Sequence, residues 1–570
     1  MNQTSGREAR IAADLKQVLD PFGIAGAIGE VQRAWLEHPQ ELSGELMRYA
    51  QEFFELNLRL AHPAFIPQTG GPASEASRED ERFTDPEWSR LPAFAALKEH
   101  YLHLTHWLED AIYRTPDTPS RTKRQAAYWV RQWLNAIAPT NYFLTNPVAV
   151  RKFWESGGQS LVQGLHNLID DLRVGDVQMV DRSAFRVGEN LATTPGAVVF
   201  RNRLLEVIHY KAATDKVHSV PLVLVAPWIN KYYILDLNEK KSLVRHLVDQ
   251  GFDVYMTSWR NPGPELADVT YDDYLIDGVL AAIEVAREVS GAERVHAVGY
   301  CLGGTTLAAL MAWLNRRHER AEDVPVAHWT LFTSLVDFSR PGAIEVFIGP
   351  ESVEFLDDLM RAQGYLDGRE MARAFRMLRS NTLIWHYVVH GYLYGEAPPA
   401  FDVLYWNTDT TRLPRAMHSY YLREFYLENR LTKKDGVTLA GQPIDLRRIR
   451  QPLYAVGCEE DHIAPWKAAF DICARTGAPA RFALSSSGHI LGIINPPVKP
   501  PRRNYWVGDA RGEANAENWR HAQERHAGSW WEDWVPWLKR HCGPLKEPPP
   551  LSTRKHHKLA DAPGTYVLES

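Results

Sequence analysis

The stretch "VHAVGYCLGGTTLAALMAWL", Val295 to Leu314, decides how this chain is read. An apolar run, the pattern of a buried strand, ends in Gly299-Tyr300-Cys301-Leu302-Gly303; Gly304 and a helix-forming run follow. Gly-x-nucleophile-x-Gly between a strand and a helix is a nucleophile elbow. The turn strains the backbone at its tip, and bulky neighbours must be absent, hence Gly299 and Gly303. The tip side chain stands at the start of the next helix, where free N–H groups and the helix dipole favour a thiolate and a developing oxyanion. Here the tip is Cys301 rather than a serine. The bland alternative is a structural cysteine in a glycine-rich turn.

The surrounding sequence supplies the frame that an elbow needs. "VPLVLVAPW" (220–228), "FDVYMTSW" (252–259), "RVHAVGYC" (294–301) and "HWTLFTSLVDF" (328–338) read as buried strands. Helical stretches at 238–251, 271–291 and from Leu302 separate them. This alternation predicts a parallel sheet with helices on both faces. It stops near 340 and resumes with "QPLYAVGCEED" (451–461) and "ARFALSSSGH" (480–489). The aromatic insertion at about 340–440 is placed to form a lid, and "IWHYVVHGYLYGEAPPAFDVLYW" (384–406) is expected to line its entrance. Residues 1–190 read as mainly helical, with apolar residues at three- and four-residue spacing in 40–61 and 91–112. Residues 62–80, rich in Pro, Gly and Ser, read as a loop.

An elbow nucleophile takes an acid and then a histidine later in the chain. Asp461 ends one strand and His489 follows the next, giving the order Cys301, Asp461, His489. Asp337 is the rival acid and His462 the weaker base. The oxyanion hole is expected from the N–H of Leu302 and one from the segment after the 220–228 strand. Pro227 has no N–H, which leaves Trp228 or Ile229. Arg260 follows a strand whose end faces the site; a phosphate contact and a plain ion pair are equally open to it.

Composition narrows the classes. The net charge of −6 gives no general nucleic-acid binder, and the basic runs at Arg447–Arg450 and Arg554–Lys558 read as solvated surface. Four cysteines without paired spacing point to a reducing compartment. The polar start lacks a signal peptide's apolar core, and no uncharged run is long enough for a transmembrane segment. The expectation is a soluble cytoplasmic protein. His100, His103 and His106 lack the companions of a metal site. Trp530, Trp531, Trp534 and Trp537 fall at helical spacing and are expected to pack a helix on the sheet.

Taken together, these segments resemble the class I polyhydroxyalkanoate (poly-3-hydroxybutyrate) synthases. The resemblance rests on "DERFTDPEWSRLPAFAALKEHYLHLTHWL", "NYFLTNP", "GENLATTPGAVVFRNRLLEVIHY", "PWINKYYILDL", "TSWRNPGP", "GYCLGG", "AFDVLYWNTDTTRLP", "EEDHIAPW", "GHILGIINPP", "HAGSWWEDWVPWL" and "APGTYV". Ala226-Pro227-Trp228 departs from the Pro-Pro of many members. The resemblance implies an α/β-hydrolase fold over 191–550 with a cap at about 340–440, a helical region 1–190 for dimerisation, granule or partner contact, and a tail 551–570. It implies an acyltransferase that polymerises (R)-3-hydroxyacyl-CoA into a growing polyester chain and releases CoA. Cys301 would carry the chain, His489 act as base and Asp461 assist it. No cofactor is implied, since coenzyme A is part of the substrate and a product. A homodimer at the granule surface, beside granule-associated proteins, completes the expectation. A cysteine thioesterase or dienelactone-type hydrolase of the same fold is the alternative.

Overall fold

In the computed structural model, residues 20, 22–61 and 80–570 are described. The start of the chain and nearly all of the 62–80 loop expectation lie outside them. The chain forms two compact units, residues 1–181 with 373–400, and residues 182–372 with 401–570.

The first unit is helical. Its helices are α1 (Ile24–Glu37), α2 (Pro39–Ala61), α3 (Pro92–Arg114), α4 (Ser120–Ala136), α5 (Pro147–Glu155) and α6 (Gln159–Val174). Two small cores form within it, one around Trp88, Tyr101 and Leu102, with α3 and α5, the other around Val31, Ile112 and Ala126, with α1, α3 and α4. His103 stacks on Tyr49 of α2 at 5.2 Å, and among the described residues no His, Cys, Asp and Glu group could hold a metal. Residues 373–400, which the sequence pattern puts in the lid insertion, belong to this unit. The reason lies in α6. Asn167 Nδ2 donates to the carbonyls of Gly391 (2.9 Å) and Glu396 (3.1 Å). Tyr392 O–H donates to Asp171 Oδ2 at 2.7 Å, and Gly164 is where the Tyr392 carbonyl comes too close for any Cβ.

The second unit is built on an eleven-stranded sheet. Its strands are β1 (Gly196–Arg201), β2 (Leu205–Tyr210), β3 (Leu222–Val225), β4 (Val254–Trp259), β5 (Val295–Tyr300), β6 (Val326–Phe332), β7 (Leu453–Cys458), β8 (Ala480–Ser485), β9 (Asn504–Asp509), β10 (Arg525–Ala527) and β11 (Ala560–Asp561). The order is β10-β9-β8-β7-β6-β5-β3-β4-β2-β1-β11. β3 to β8 run parallel, and the flanking strands are antiparallel. β3, β4, β5 and β7 are buried along their whole length, which is why they read as continuous apolar runs rather than alternating ones. From β3 the chain goes one way to β4 and then the other way to β5. Such a switch opens a crevice at the carboxyl ends of the strands. Among the described residues no helix is long and apolar enough to cross a membrane.

The helix α7 (Leu302–Arg317) leaves β5 with no intervening loop and is buried from Leu302 to Asn315. The helix α8 (Trp531–His541) packs Trp531, Trp534 and Trp537 inward. A chain of hydrogen bonds ties α8 to the sheet. Trp534 Nε1–H donates to Thr330 Oγ1 at 3.0 Å, and that hydroxyl donates to His296 Nε2 at 2.9 Å. His296 Nδ1–H donates to His328 Nδ1 at 2.6 Å, and His328 Nε2–H to the His541 carbonyl at 2.6 Å. The carbonyl only accepts, so His328 carries a proton on Nε2, and with burial keeping both rings neutral the bonds run in this one direction. Residues 551–570, read from sequence as a tail, join the fold. β11 pairs with β1, Val567 is buried, and the backbone N–H groups of Thr565 and Tyr566 donate to the buried Glu206 carboxylate at 3.0 and 3.1 Å.

Candidate active site

Cys301 sits between β5 and α7 with φ 51° and ψ −120°, a conformation that costs an L-residue on the order of 1–3 kcal/mol. Close packing holds it there. A Cβ on Gly299 would strike the Cα of Gly304, and one on Gly303 would strike the carbonyls of Val225 and Ala226. Cys301 N–H donates to the Phe332 carbonyl at 2.9 Å, which locks the turn to β6. The thiol is partly exposed, unlike the buried Cys458, Cys473 and Cys542.

Asp461 lies three residues past β7. Its Oδ1 accepts the backbone N–H groups of Ile463 (2.8 Å) and Ala464 (2.9 Å). Those two bonds fix the carboxylate and aim Oδ2 at His489 Nδ1, 2.6 Å away. His489 follows β8 and is 7 % exposed. Tyr300, the elbow residue before the cysteine, stacks on the His489 ring at 5.6 Å and donates its hydroxyl to the His489 carbonyl at 3.3 Å. Burial works to lower the His489 pKa. The Asp461 carboxylate and the Cys301 thiolate, by charge and hydrogen bonding, outweigh it and raise the value from 6.5 to about 10. With Nδ1 given to Asp461, Nε2 is the nitrogen left for the sulfur. The raised value therefore favours the imidazolium form once the His489 ring takes a proton at Nε2.

The remaining sequence candidates fall as follows. Leu302 is the first residue of α7, where an N–H has no acceptor within its helix. The contact of Gly303 with Val225 and Ala226 sets the segment leading to Trp228 and Ile229 beside it. Trp228 is buried, and its carbonyl accepts the Thr411 hydroxyl at 2.9 Å. Asp337 is engaged elsewhere, with Arg475, Asn429 Nδ2 (2.8 Å) and Ser339 N–H (2.9 Å). The His462 carbonyl accepts the Ala343 N–H at 2.9 Å. Arg260 meets the carboxylates of Glu265 (3.2 Å) and Glu569 (3.7 Å) and lies over the Tyr566 ring.

Sequence reasoning missed two tyrosines. Tyr421 is buried and Tyr426 partly buried beside the nucleophile; desolvation first, and then neighbours that include the Cys301 charge, push both phenols up. Tyr421 packs edge-on against Trp228 at 5.3 Å, and Tyr426 against Phe338 at 4.8 Å. They lie on a π-helical turn, Tyr421–Leu427, where positions five apart share a face. A search at three- and four-residue spacing does not pair them.

The description "Poly-beta-hydroxybutyrate polymerase (PhaC) N-terminus" matches residues 79–247, and "alpha/beta hydrolase fold" matches 222–317. The chain is 39 % identical over 539 residues to the poly(3-hydroxyalkanoate) polymerase subunit PhaC of Cupriavidus necator, covering 93 % of this chain and 88 % of that protein. The chain belongs to the poly(3-hydroxyalkanoate) polymerase family. The corresponding subunit of Rhizobium meliloti is 38 % identical, covering 95 % and 88 %. Poly(3-hydroxyalkanoate) polymerase 2 of Ectopseudomonas oleovorans is 37 % identical, covering 96 % and 94 %. The chain is thus a polymerase-family enzyme of the acyltransferase type with an α/β-hydrolase fold.

Proposed function

We propose that this enzyme is a class I polyhydroxyalkanoate synthase that polymerises (R)-3-hydroxyacyl-CoA, with 3-hydroxybutyryl-CoA as the first candidate, and releases CoA. The observation that carries the reading is His489 held between Asp461 and an elbow cysteine. Cys301 passes its thiol proton to His489 Nε2, and its sulfur attacks the thioester carbonyl. The carbonyl oxygen takes negative charge beside the N–H of Leu302 and that of Trp228 or Ile229. The C–S bond to CoA breaks, and His489 Nε2–H protonates the departing thiolate. The acyl group now sits on Cys301 as a thioester.

A cysteine suits this task better than a serine. Sulfur-to-sulfur transfer is nearly isoenergetic, so the acyl-enzyme stays activated for attack by an alcohol. His489, now neutral at Nε2, takes the proton of the incoming 3-hydroxyl, and Asp461 steadies the imidazolium that results. The hydroxyl oxygen forms the new ester bond as the bond to sulfur breaks. Water in its place would give free hydroxy acid. The wall of Trp228, Phe338, Tyr421 and Tyr426 supports exclusion of water beside the sulfur. The working form proposed is a homodimer in the cytoplasm at the polyester granule surface.

The test follows CoA release from (R)-3-hydroxybutyryl-CoA by the wild type and Cys301→Ala, with the acyl product sized by chromatography. High-mass polyester that disappears in the variant is expected. Release of CoA with free hydroxy acid alone would make the enzyme a thioesterase.

A further inference from the structure

Residues 486–503 join β8 to β9 without a helix or strand of their own. Structureless connections longer than about 12–15 residues are uncommon in compact domains and usually functional. This one begins with the turn that carries His489. Its course is pinned on both sides. Trp530 Nε1–H donates to the Gly492 carbonyl at 2.9 Å and Trp531 Nε1–H to that of Ile493 at 3.0 Å, while the Ser529 hydroxyl donates to that of Asn495. At the far end the Gly528 N–H donates to the Arg503 carbonyl at 2.8 Å. Between these pins runs Pro496-Pro497-Val498-Lys499-Pro500-Pro501-Arg502-Arg503, exposed from Pro497 to Arg502 and half-buried at Arg503. Its four prolines fix φ, so the segment is shaped before anything binds it. Three cations fall within residues 499–503 of a chain whose net charge is −6. Among the described residues none of the three has a carboxylate within ion-pair distance. Like charges held together without counter-charges repel one another and draw an anion.

The place of the loop selects the anion. β9 runs antiparallel to β8 with Ser485 opposite Tyr505, so Arg503 lies at the carboxyl edge of the parallel strands, the edge that holds Cys301, Asp461 and His489. The Ser486 N–H donates to the Asn504 carbonyl at 2.9 Å, and the Asn504 N–H to Ser486 Oγ at 3.0 Å. Three residues lead from Ser486 to His489, so the Cα atoms of Arg503 and His489 are at most roughly 20 Å apart. The Cys458 thiol, raised first by burial, also feels the charges of both Asp461 and Arg503. In a CoA thioester the arm between sulfur and diphosphate has the backbone length of about four residues, roughly 15 Å. With its sulfur at Cys301, that arm is of the right length to bring the phosphates to the side chains of this loop.

Resting on the proposed reaction, we infer that Lys499, Arg502 and Arg503 form the binding site for the phosphate groups of the CoA thioester. Those groups carry on the order of three to four negative charges. An anionic bilayer asks for a cluster of about 4–8 basic residues, and a nucleic acid for a basic face across the domain. The loop offers neither.

The experiment compares (R)-3-hydroxybutyryl-CoA with (R)-3-hydroxybutyryl-pantetheine, which keeps the thioester and the arm but lacks every phosphate. The proteins are the full-length wild type and Lys499→Gln/Arg502→Gln/Arg503→Gln. Thiol release is followed on both substrates, and calorimetry reads the binding of CoA itself with Cys301→Ala added to each protein. The triple variant should raise KM for the CoA thioester roughly tenfold or more, with kcat within about twofold, and should bind CoA more weakly by a similar factor. On the pantetheine thioester the two enzymes should match. Salt should weaken the binding of CoA to the wild type and affect the variant much less. Arg502→Lys/Arg503→Lys should keep most of the affinity, since it keeps the charge. Lys499→Gln alone, on an exposed side chain, should show a smaller loss of the same kind. An equal loss on both substrates would mean a damaged loop rather than a lost phosphate site and would overturn the inference. So would undiminished binding of CoA by the triple variant. Weaker CoA binding by the variant of an enzyme that makes no polymer would instead refute the proposed reaction and leave the phosphate site standing.

Discussion

Replacing Asp461 by asparagine tests the site at its most constrained atom. Oδ1 accepts two backbone N–H groups, from Ile463 and Ala464. In Asp461→Asn the side-chain oxygen must keep that place, because turning the amide around would set its NH₂ against two donors and lose about 2 kcal/mol of hydrogen bonding. The NH₂ then faces His489 Nδ1, which must accept. The ring is forced into the tautomer with its proton on Nε2, so it can no longer take a proton from Cys301 or from an incoming hydroxyl. The imidazolium also loses its first source of stabilisation. The rise of His489 from 6.5 to about 10 is worth roughly 5 kcal/mol, supplied jointly by Asp461 and Cys301. Losing the Asp461 share together with the correct tautomer should lower kcat by about 10³–10⁴-fold. The turn 461–464 keeps its two bonds, so Tm should move by only a few degrees. Rapid-quench measurement of the first CoA released separates acylation from later steps, and both should be slow. Activity within tenfold of the wild type, in a variant shown to be folded, would refute the claim that Asp461 sets the histidine's proton.

Three further outcomes follow from the packing. Asp337→Asn should leave kcat within about twofold, because that carboxylate serves Arg475 and Asn429, but should lower stability by about 1–3 kcal/mol as the charge on Arg475 loses its partner; a large loss of kcat with unchanged Tm would return it to the site. Gly303→Ala should abolish activity and cost more than about 3 kcal/mol in denaturant unfolding, since its methyl meets the backbone carbonyls of Val225 and Ala226. Acid should weaken the second unit through the histidine chain. Burial lowers His296 well below 6.5 and His328 to about 4, so both are neutral in the fold and take up protons more readily once unfolded. Their stabilisation is complete above about pH 6.5 and drains as the pH falls towards 4, with roughly 3 kcal/mol at stake for His328. Melting curves across that window should drop less steeply for His328→Asn, and an identical slope would refute it.

Much of the candidate site was legible because it is local. Gly299 and Gly303 announce a turn that tolerates no side chain, and Asp461 and His489 each follow an apolar run that only a buried strand explains. The parallel order of the sheet follows from the alternation that contains them. What escaped depends on contacts far apart in sequence or on unusual helical periods. Nothing local tells that residues 373–400 join α6, because the signal is a polar face matched to distant carbonyls. The placement of Tyr421 and Tyr426 needs the wide π-helical turn. Residues 560–567 look like a tail because two-residue strands and a carboxylate partner at Glu206 leave almost no pattern.

The joining of 373–400 to the first 181 residues also sets a timetable. On the ribosome Asn167 of α6 emerges 224 residues before Gly391 and 229 before Glu396, whose carbonyls it will bond. At about 5–20 residues per second that is a wait of roughly 11–45 s. During it Asn167 and Asp171 are served by water, and the earlier helices rely on their own small cores. The first unit therefore matures only after much of the second has been made. Slowing synthesis between 182 and 372 should lengthen the period in which a nascent chain is open to protease within α6.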